Sequence, residues 1–403
     1  MKTELGLAEQ QVKNMNSTAL LNNYSRFPVE FVKGDGIYLF DAQGKEYLDF
    51  LCGIAVTGFG HNHPVIKSAV KEQMNKIWHT SNLFESSLQA KLAEKLSRVS
   101  GLDYSFFCNS GTEAVEAAIK FARKSGNGKF HIITAINGFH GRTYGSLSAT
   151  GQLKLQEGFA PMLQGFSHVK YNDIKEIEKA FNENTIAVLM EPIQGEGGIN
   201  IPDENYLKEI RDFCNSKNIL MILDEVQCGL GRTGKFFAYQ HSGIIPDMVT
   251  IAKGLGNGIP IGAVVCTKEI GEQIKPGNHG STFGGNPIAV SAAIEVVELI
   301  DEKLLKEIAK LGETLLNSLH SLHLSKIKDI RGKGLMIGIE FNEGYQAKKI
   351  AAKMIEEGVV VGTSGDAVLR VLPPFVISEK EIMKFLSRFR NVVESLPEIN
   401  NKN

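Results

Sequence analysis

The chain lacks a hydrophobic run of membrane-spanning length, because charged residues interrupt every apolar stretch well short of it. Its opening, MKTELGLAEQQVKN, is polar and has no apolar core of the kind a signal peptide needs. Neither charge dominates: 44 Lys+Arg against 45 Asp+Glu leave a net charge of −1. That balance gives no electrostatic reason to expect nucleic acid or an anionic membrane as partner. Cysteine is sparse. Cys52, Cys108, Cys214, Cys228 and Cys266 are scattered with no Cys-x-x-Cys pair, which reads as reduced thiols in a cytoplasm. No internal repeat, low-complexity tract or G-x-S-x-G nucleophile elbow is present.

What is present is an ordinary globular composition, 43% hydrophobic and 22% charged, over 403 residues. That length exceeds one core and predicts two domains. The most informative stretch is Ile219 to Gly262. Two short apolar runs, ILMIL and MVTIA, each end in a charge, at Asp224 and Lys253. Such runs followed by turn residues predict buried strands of a parallel sheet, whose ligands sit beyond the carboxyl ends of the strands. A carboxylate and an amine would then share one crevice. The pair suits pyridoxal phosphate, which needs a lysine for its Schiff base and an acid beside its pyridinium nitrogen. Most such residues, however, are solvated charges where strands meet loops, and these two alone do not establish a cofactor site.

In chain order, Met1 to Asn23 is polar and reads as an arm. Phe31 to Phe50 alternates apolar residues broken by Gly-Asp-Gly and Ala-Gln-Gly, which predicts an antiparallel hairpin unit. Further on, FHIITAI, IAVLM, ILMIL and MVTIA alternate with helical patterns, giving an α/β chain with a mostly parallel sheet. From Asn286 one long helical pattern begins, followed by GLMIGIEF, a helix over Ala347–Glu357 and VVVGTSGDAVLRVLPP. A domain boundary is placed inside that long helix, near Ile300. The expected units are an arm and hairpin (1–60), a large domain (61–300) and a smaller α+β domain (301–403), with the hairpin packing on the last.

A phosphate site is suggested where Asn109-Ser-Gly-Thr enters a helix whose Val115, Ala118, Ile119 and Ala122 share one face. Free N–H groups and the helix dipole favour a dianion there, although an ordinary Ser/Thr cap has the same appearance. Gly229 to Gly234, GLGRTG, matches G-x-G-x-x-G, but Asp-Glu-Val-Gln separates it from its strand and no acid closes a second strand at the usual distance. With Lys235 it nearly makes a P-loop, yet Phe236 stands where Ser or Thr must ligate magnesium. The glycines are read instead as a loop beneath the cofactor. His61 and His63 lack the Cys or carboxylate company of a metal site, and no metal is expected.

Seven segments together resemble the class III, fold-type I pyridoxal-phosphate-dependent aminotransferases. They are GHNHP, NSGTEAVEAAIK, GFHGRTYGSLSATG, EPIQGEGG, LDEVQCGLGRTG, AKGLGNGIPIGA and GSTFGGNP, in the family's order between Gly60 and Pro287. The resemblance implies that Lys253 is the Schiff-base lysine and Asp224 the partner of the pyridinium nitrogen, both catalytic. It implies cofactor contacts at Gly111, Thr112, Phe139, Glu225, Val226 and Gln227. Thr282 would reach the phosphate from a neighbouring subunit, hence a homodimer with shared sites, and Ser281 beside it would touch substrate.

The implied reaction moves the δ-amino group of N2-acetyl-L-ornithine to 2-oxoglutarate in a ping-pong cycle. Arg370 would take the α-carboxylate of glutamate, and Arg142 the other carboxylate or that of the acylornithine. Arginine suits both because its fork binds carboxylate in a bidentate way. Glu196 would pair with Arg370 when the substrate brings no carboxylate there, since an unpaired buried guanidinium is unfavourable. Relatives acting on free ornithine carry tyrosine where this chain has Ile54, which favours a capped α-amine. N-Succinylornithine, succinyl-diaminopimelate, ornithine and 4-aminobutyrate are the alternatives. An NAD-dependent oxidoreductase or a catalytically dead scaffold fits less well, since Asp224, Gln227 and Lys253 are all retained.

Overall fold

The computed structural model describes residues 19–398, so most of the arm read over Met1–Asn23 lies outside the described residues. Strands β1 (Phe31–Asp35), β2 (Tyr38–Asp41) and β3 (Glu46–Asp49) form the antiparallel unit expected from the glycine turns. Asp35 pairs with Tyr38, and Gly36 between them takes φ +55°, a left-handed conformation that glycine adopts without a Cβ penalty.

The central sheet comprises β4 (Tyr104–Cys108), β5 (His131–Ala135), β6 (Phe166–Val169), β7 (Thr185–Met190), β8 (Leu220–Asp224), β9 (Met248–Ile251) and β10 (Gly262–Cys266). Their order is β4-β10-β9-β8-β7-β5-β6. The five strands from β6 to β9 run parallel, while β10 is antiparallel to both its neighbours. The four apolar runs of the sequence are β5, β7, β8 and β9, every residue of which is buried except Leu220 at the start of β8. The helix Gly111–Ser125 packs on this sheet through Ala114, Val115, Ala117, Ala118, Ile119, Phe121 and Ala122. Its alanines let the backbone approach closely, and each valine, isoleucine or phenylalanine so buried stabilises the fold by roughly 1.5–3 kcal/mol. Among the described residues, no helix is long and apolar enough to cross a membrane.

Towards the carboxyl end, β11 (Ile327–Lys333), β12 (Met336–Phe341), β13 (Val359–Val360), β14 (Gly362–Ser364) and β15 (Val368–Val371) follow. Four of them form a sheet of order β11-β12-β15-β14. The fifth, β13, leaves that sheet and pairs in parallel with β3, Leu48 opposite Val359. The hairpin unit is therefore joined to the carboxyl-terminal segment through this pairing.

Two expectations need correction. The long helical pattern from Asn286 is two helices, Pro287–Leu299 and Glu302–His320. Asp301 breaks it by accepting the Leu304 N–H at 2.7 Å, capping the second helix. The boundary read near Ile300 thus falls between helices, where apolar spacing alone cannot register a one-residue cap. The Gly229–Gly234 glycines do not line the cavity described below. Its Gly231 and Gly234, at φ +87° and +86°, lie against Ile308 and Ala309 of the second helix. Arg232 between them is fully buried, stacks 4.6 Å from the Phe375 ring, and donates from Nη1 to the Leu335 and Pro373 carbonyls. The glycines permit the tight turn that carries this arginine into the junction with the carboxyl-terminal segment.

Candidate active site

Adjacent parallel strands place the two strand-end charges together. Asp224 closes β8 and Lys253 stands two residues beyond the end of β9, and both line one cavity of about 410 Å³. Asp224 is held from three sides. Its Oδ2 lies 2.7 Å from His140 Nδ1, and its Oδ1 accepts from the Thr250 hydroxyl and the Val226 N–H, each at 3.1 Å. Burial works against a charged His140, but the hydrogen bond and charge of Asp224 outweigh it and raise the imidazole above its usual range. Among the described residues, His140 Nε2 is buried without a partner.

Lys253 carries φ +45°, a left-handed conformation that costs a non-glycine residue about 1–2 kcal/mol and marks functional positions. Burial pushes its ammonium down, and Glu196 pulls the other way. A lysine so placed is closer to the neutral form that proton transfer and amine chemistry require.

Gly111 and Thr112 open the helix Gly111–Ser125 at another part of the same cavity. Their N–H groups belong to a first turn that has no intrahelical acceptors. Ser110 caps the turn by accepting from the Glu113 N–H at 3.3 Å. Residue 111 must be glycine, because a Cβ there would come 2.8 Å from Val226 Cγ1. Phe139 and Arg142 complete this wall, the guanidinium carbon 5.6 Å from the ring centre.

Arg370 and Glu196, expected from the sequence to meet substrate, form a second layer. Arg370 Nη1 bonds to Glu196 Oε1 and, at 3.2 Å, to Gln227 Oε1. Gln227 Nε2 donates to the same Glu196 oxygen at 3.1 Å. Burial opposes ionisation of Glu196, yet the Arg370 and Lys253 charges outweigh it and hold the carboxyl below its usual range. This closed triad links Arg370 to the cavity through Gln227, which lines it.

Other expected residues lie elsewhere. Glu225 does not line the cavity: its carboxylate accepts the Ala238 and Tyr239 N–H groups at 2.8 Å on the far side of the turn. Ile54 packs with Ala55, Ile193 and Leu372 in an apolar cluster. Ser281 accepts from Asn109 Nδ2 at 3.2 Å, and Thr282 is exposed; both line a different hollow from Lys253 and Asp224 within one chain.

Burial pushes the Glu225 carboxyl from 4.5 to about 7. Between those values the folded chain keeps a proton that the unfolded chain has shed, so the contribution to stability falls as pH rises through that window. The melting-temperature advantage of wild type over Glu225→Gln should therefore be larger at pH 5 than at pH 8. Calorimetry at the two pH values checks this, and an equal offset at both would contradict it.

The model of the family described as aminotransferase class III matches residues 20–393. The chain belongs to the class III aminotransferases. This family uses pyridoxal phosphate. An acetylornithine aminotransferase of Aquifex aeolicus is 46% identical over 381 residues, covering 93% of this chain and all of its own. Among solved structures, an ornithine aminotransferase of Toxoplasma gondii, with pyridoxal phosphate at partial occupancy in its active site, superposes with a TM-score of 0.90. It is 32% identical and covers 98% of this chain and 94% of its own. An N-acetylornithine aminotransferase of Stenotrophomonas maltophilia gives a TM-score of 0.81 at 33% identity, covering 92% of this chain and 97% of its own.

Three residues of this aminotransferase escape a reading by motif. His140 stands beside Phe139 in GFHGRT and is the partner of Asp224. Glu191 opens EPIQGEGG, and burial pushes its carboxyl up to about 7. Ser364 binds the loop that carries Glu196. The first two lie inside quoted motifs and could have been singled out. Nothing local marks Ser364.

Proposed function

We propose that this aminotransferase moves the δ-amino group of N2-acetyl-L-ornithine to 2-oxoglutarate, giving N-acetylglutamate 5-semialdehyde and L-glutamate, with pyridoxal phosphate as cofactor. The residues present fit that group. The helix N-terminus at Gly111 and Thr112 suits a phosphate dianion, and the Val226 contact at Gly111 keeps that cradle free of a side chain. Phe139 offers a flat apolar face, Asp224 an anion for the ring nitrogen, and Lys253 an amine for the aldehyde. The cofactor, when bound, supplies an electron sink for the bond broken at the amine-bearing carbon.

The chain's own residues do the rest. Asp224 would face the ring nitrogen, and His140 Nδ1 fixes that carboxylate's orientation. Lys253 Nζ, with its proton affinity reduced by burial, takes the substrate proton and returns it. Arg142 at the cavity wall receives a carboxylate.

One observation carries the choice of substrate: Arg370 is closed onto Glu196. A substrate that presents a remote δ-amine leaves no carboxylate for Arg370, and Glu196 then fills the place. Glutamate brings its own α-carboxylate, and Glu196 must yield. Ile54, where relatives acting on free ornithine carry tyrosine, supports the capped substrate. Comparing kcat/KM on acetylornithine, succinylornithine and free ornithine tests the reading. The acylated substrates should win, and a preference for free ornithine would overturn it.

The protein acts as a homodimer in this reading. Thr282 and the neighbouring Phe283 are exposed, and Phe283 together with Trp78, Leu83 and Phe84 supplies apolar surface for a second copy. Sedimentation should give twice the 44.2 kDa chain mass, and a monomer would refute the shared site.

A further inference from the structure

Gly195, which precedes Glu196, is held at both its backbone N–H and its carbonyl, by a side chain four residues back and by one from a distant part of the chain. The Gly195 N–H donates to Glu191 Oε1 at 3.1 Å. The Gly195 carbonyl accepts from Ser364 Oγ at 2.8 Å. Both bonds are buried, and Ser364 is only 1% exposed. Residue 195 has no room for a side chain either, because a Cβ would lie 2.4 Å from Gln227 Cδ. The second oxygen of Glu191 accepts the Phe139 N–H at 3.0 Å, so one carboxylate holds the stacking wall and the Glu196 turn together.

Ser364 is the last residue of β14, whose partner β15 carries Arg370. Gly362 pairs with Arg370 and Ser364 with Val368 along that ladder. The Ser364–Gly195 bond therefore ties the turn bearing Glu196 directly to the ladder bearing Arg370.

We propose that Ser364 is a positioning residue for substrate switching: its hydroxyl pins the Gly195 peptide to β14, so Glu196 meets and leaves Arg370 by side-chain rotation alone. This rests on the reading of Glu196 and Arg370 given above. Without the hydroxyl, the Gly195 carbonyl is a buried acceptor with no donor, and the turn shifts to satisfy it. Glu196 is then no longer delivered to Arg370. The half-reaction that depends on the closed pair suffers, whereas glutamate, which displaces Glu196 in any case, is spared.

The test measures the two half-reactions separately on the holoenzyme by rapid mixing with acetylornithine or glutamate. Ser364→Ala should lower kcat/KM for acetylornithine about tenfold and leave that for glutamate unchanged. Ser364→Thr, which keeps the hydroxyl, should restore the ratio. In a Glu196→Ala background, Ser364→Ala should leave the ratio where it is, because the residue it positions is gone. Amide exchange in the cofactor-free protein should quicken at Gly195 and Glu196 in Ser364→Ala. Equal losses in both half-reactions, or the same tenfold effect without Glu196, would overturn the proposal. Failure of the functional reading looks different: wild type itself would then prefer another amine donor, such as free ornithine, to acetylornithine.

Discussion

Lys253→Ala is expected to reduce turnover by on the order of 10⁴-fold or more, since in the proposed function one side chain supplies both the amine and the proton carrier. The fold should survive. Lys253 lies at a cavity wall rather than in the core, and its ammonium is pressed towards neutrality by burial. Removing it relieves that desolvation and leaves Asp224 with its bonds to His140, Thr250 and Val226. Steady-state turnover and a melting curve on the same preparation check both halves of the expectation. Borohydride reduction of the wild type should add mass to the peptide containing Lys253 and to no other. Wild-type turnover in the variant would remove the basis for the whole assignment.

Asp224→Asn should lower kcat by roughly 10²–10³-fold, the loss typical when a fixed charge aimed at a reacting system is removed. The amide has nearly the shape of the carboxylate and can still accept from Thr250 and Val226. What disappears is the negative charge that raises His140 and would hold a proton on the cofactor's ring nitrogen. His140 would then return towards its neutral form in a buried site. The pH dependence of the variant should therefore differ from wild type as well as its rate. Asp224→Ala should cost more stability, about 3–5 kcal/mol, because it abandons a buried imidazole whose other nitrogen already lacks a partner. Thermal melts of the two variants separate these effects. An Asn variant with full kcat would place the required charge elsewhere.

The sequence made the centre of this site legible because its chemistry sits at strand ends. ILMIL-Asp224 and MVTIA-Lys253 show strand and charge in one short window, and parallel neighbours in the sheet bring the charges together. Gly111 and Thr112 were readable for the same reason, as a turn entering a helix. Residues that act through long-range packing were not. Ser364 lies in a three-residue strand of small residues, and its importance exists only once Gly195 is beside it. β6 and β10 likewise escape a reading by apolar runs. FSHV is mostly half-buried and interrupted by polar residues, and GAVVC follows a glycine-rich turn that masks its start. The helix break at Ile300 hung on one aspartate oxygen. Glu225, one residue from Asp224, faces the opposite way, since a single step of the turn reverses which side of the sheet a carboxylate serves.

The parallel pairing of β3 with β13 joins Leu48 to Val359, so the first folded strands wait for nearly the last. On the ribosome, the central sheet can close as soon as β10 emerges, whereas the hairpin unit stays without its fourth strand until residues near 360 have been made. Arg370 follows only ten residues later. In the function proposed above, a nascent or truncated chain therefore possesses the lysine and the phosphate cradle before it has the Arg370 that pairs with Glu196. On that reading, the switch between the two substrates is completed later in synthesis than the centre that carries out the chemistry.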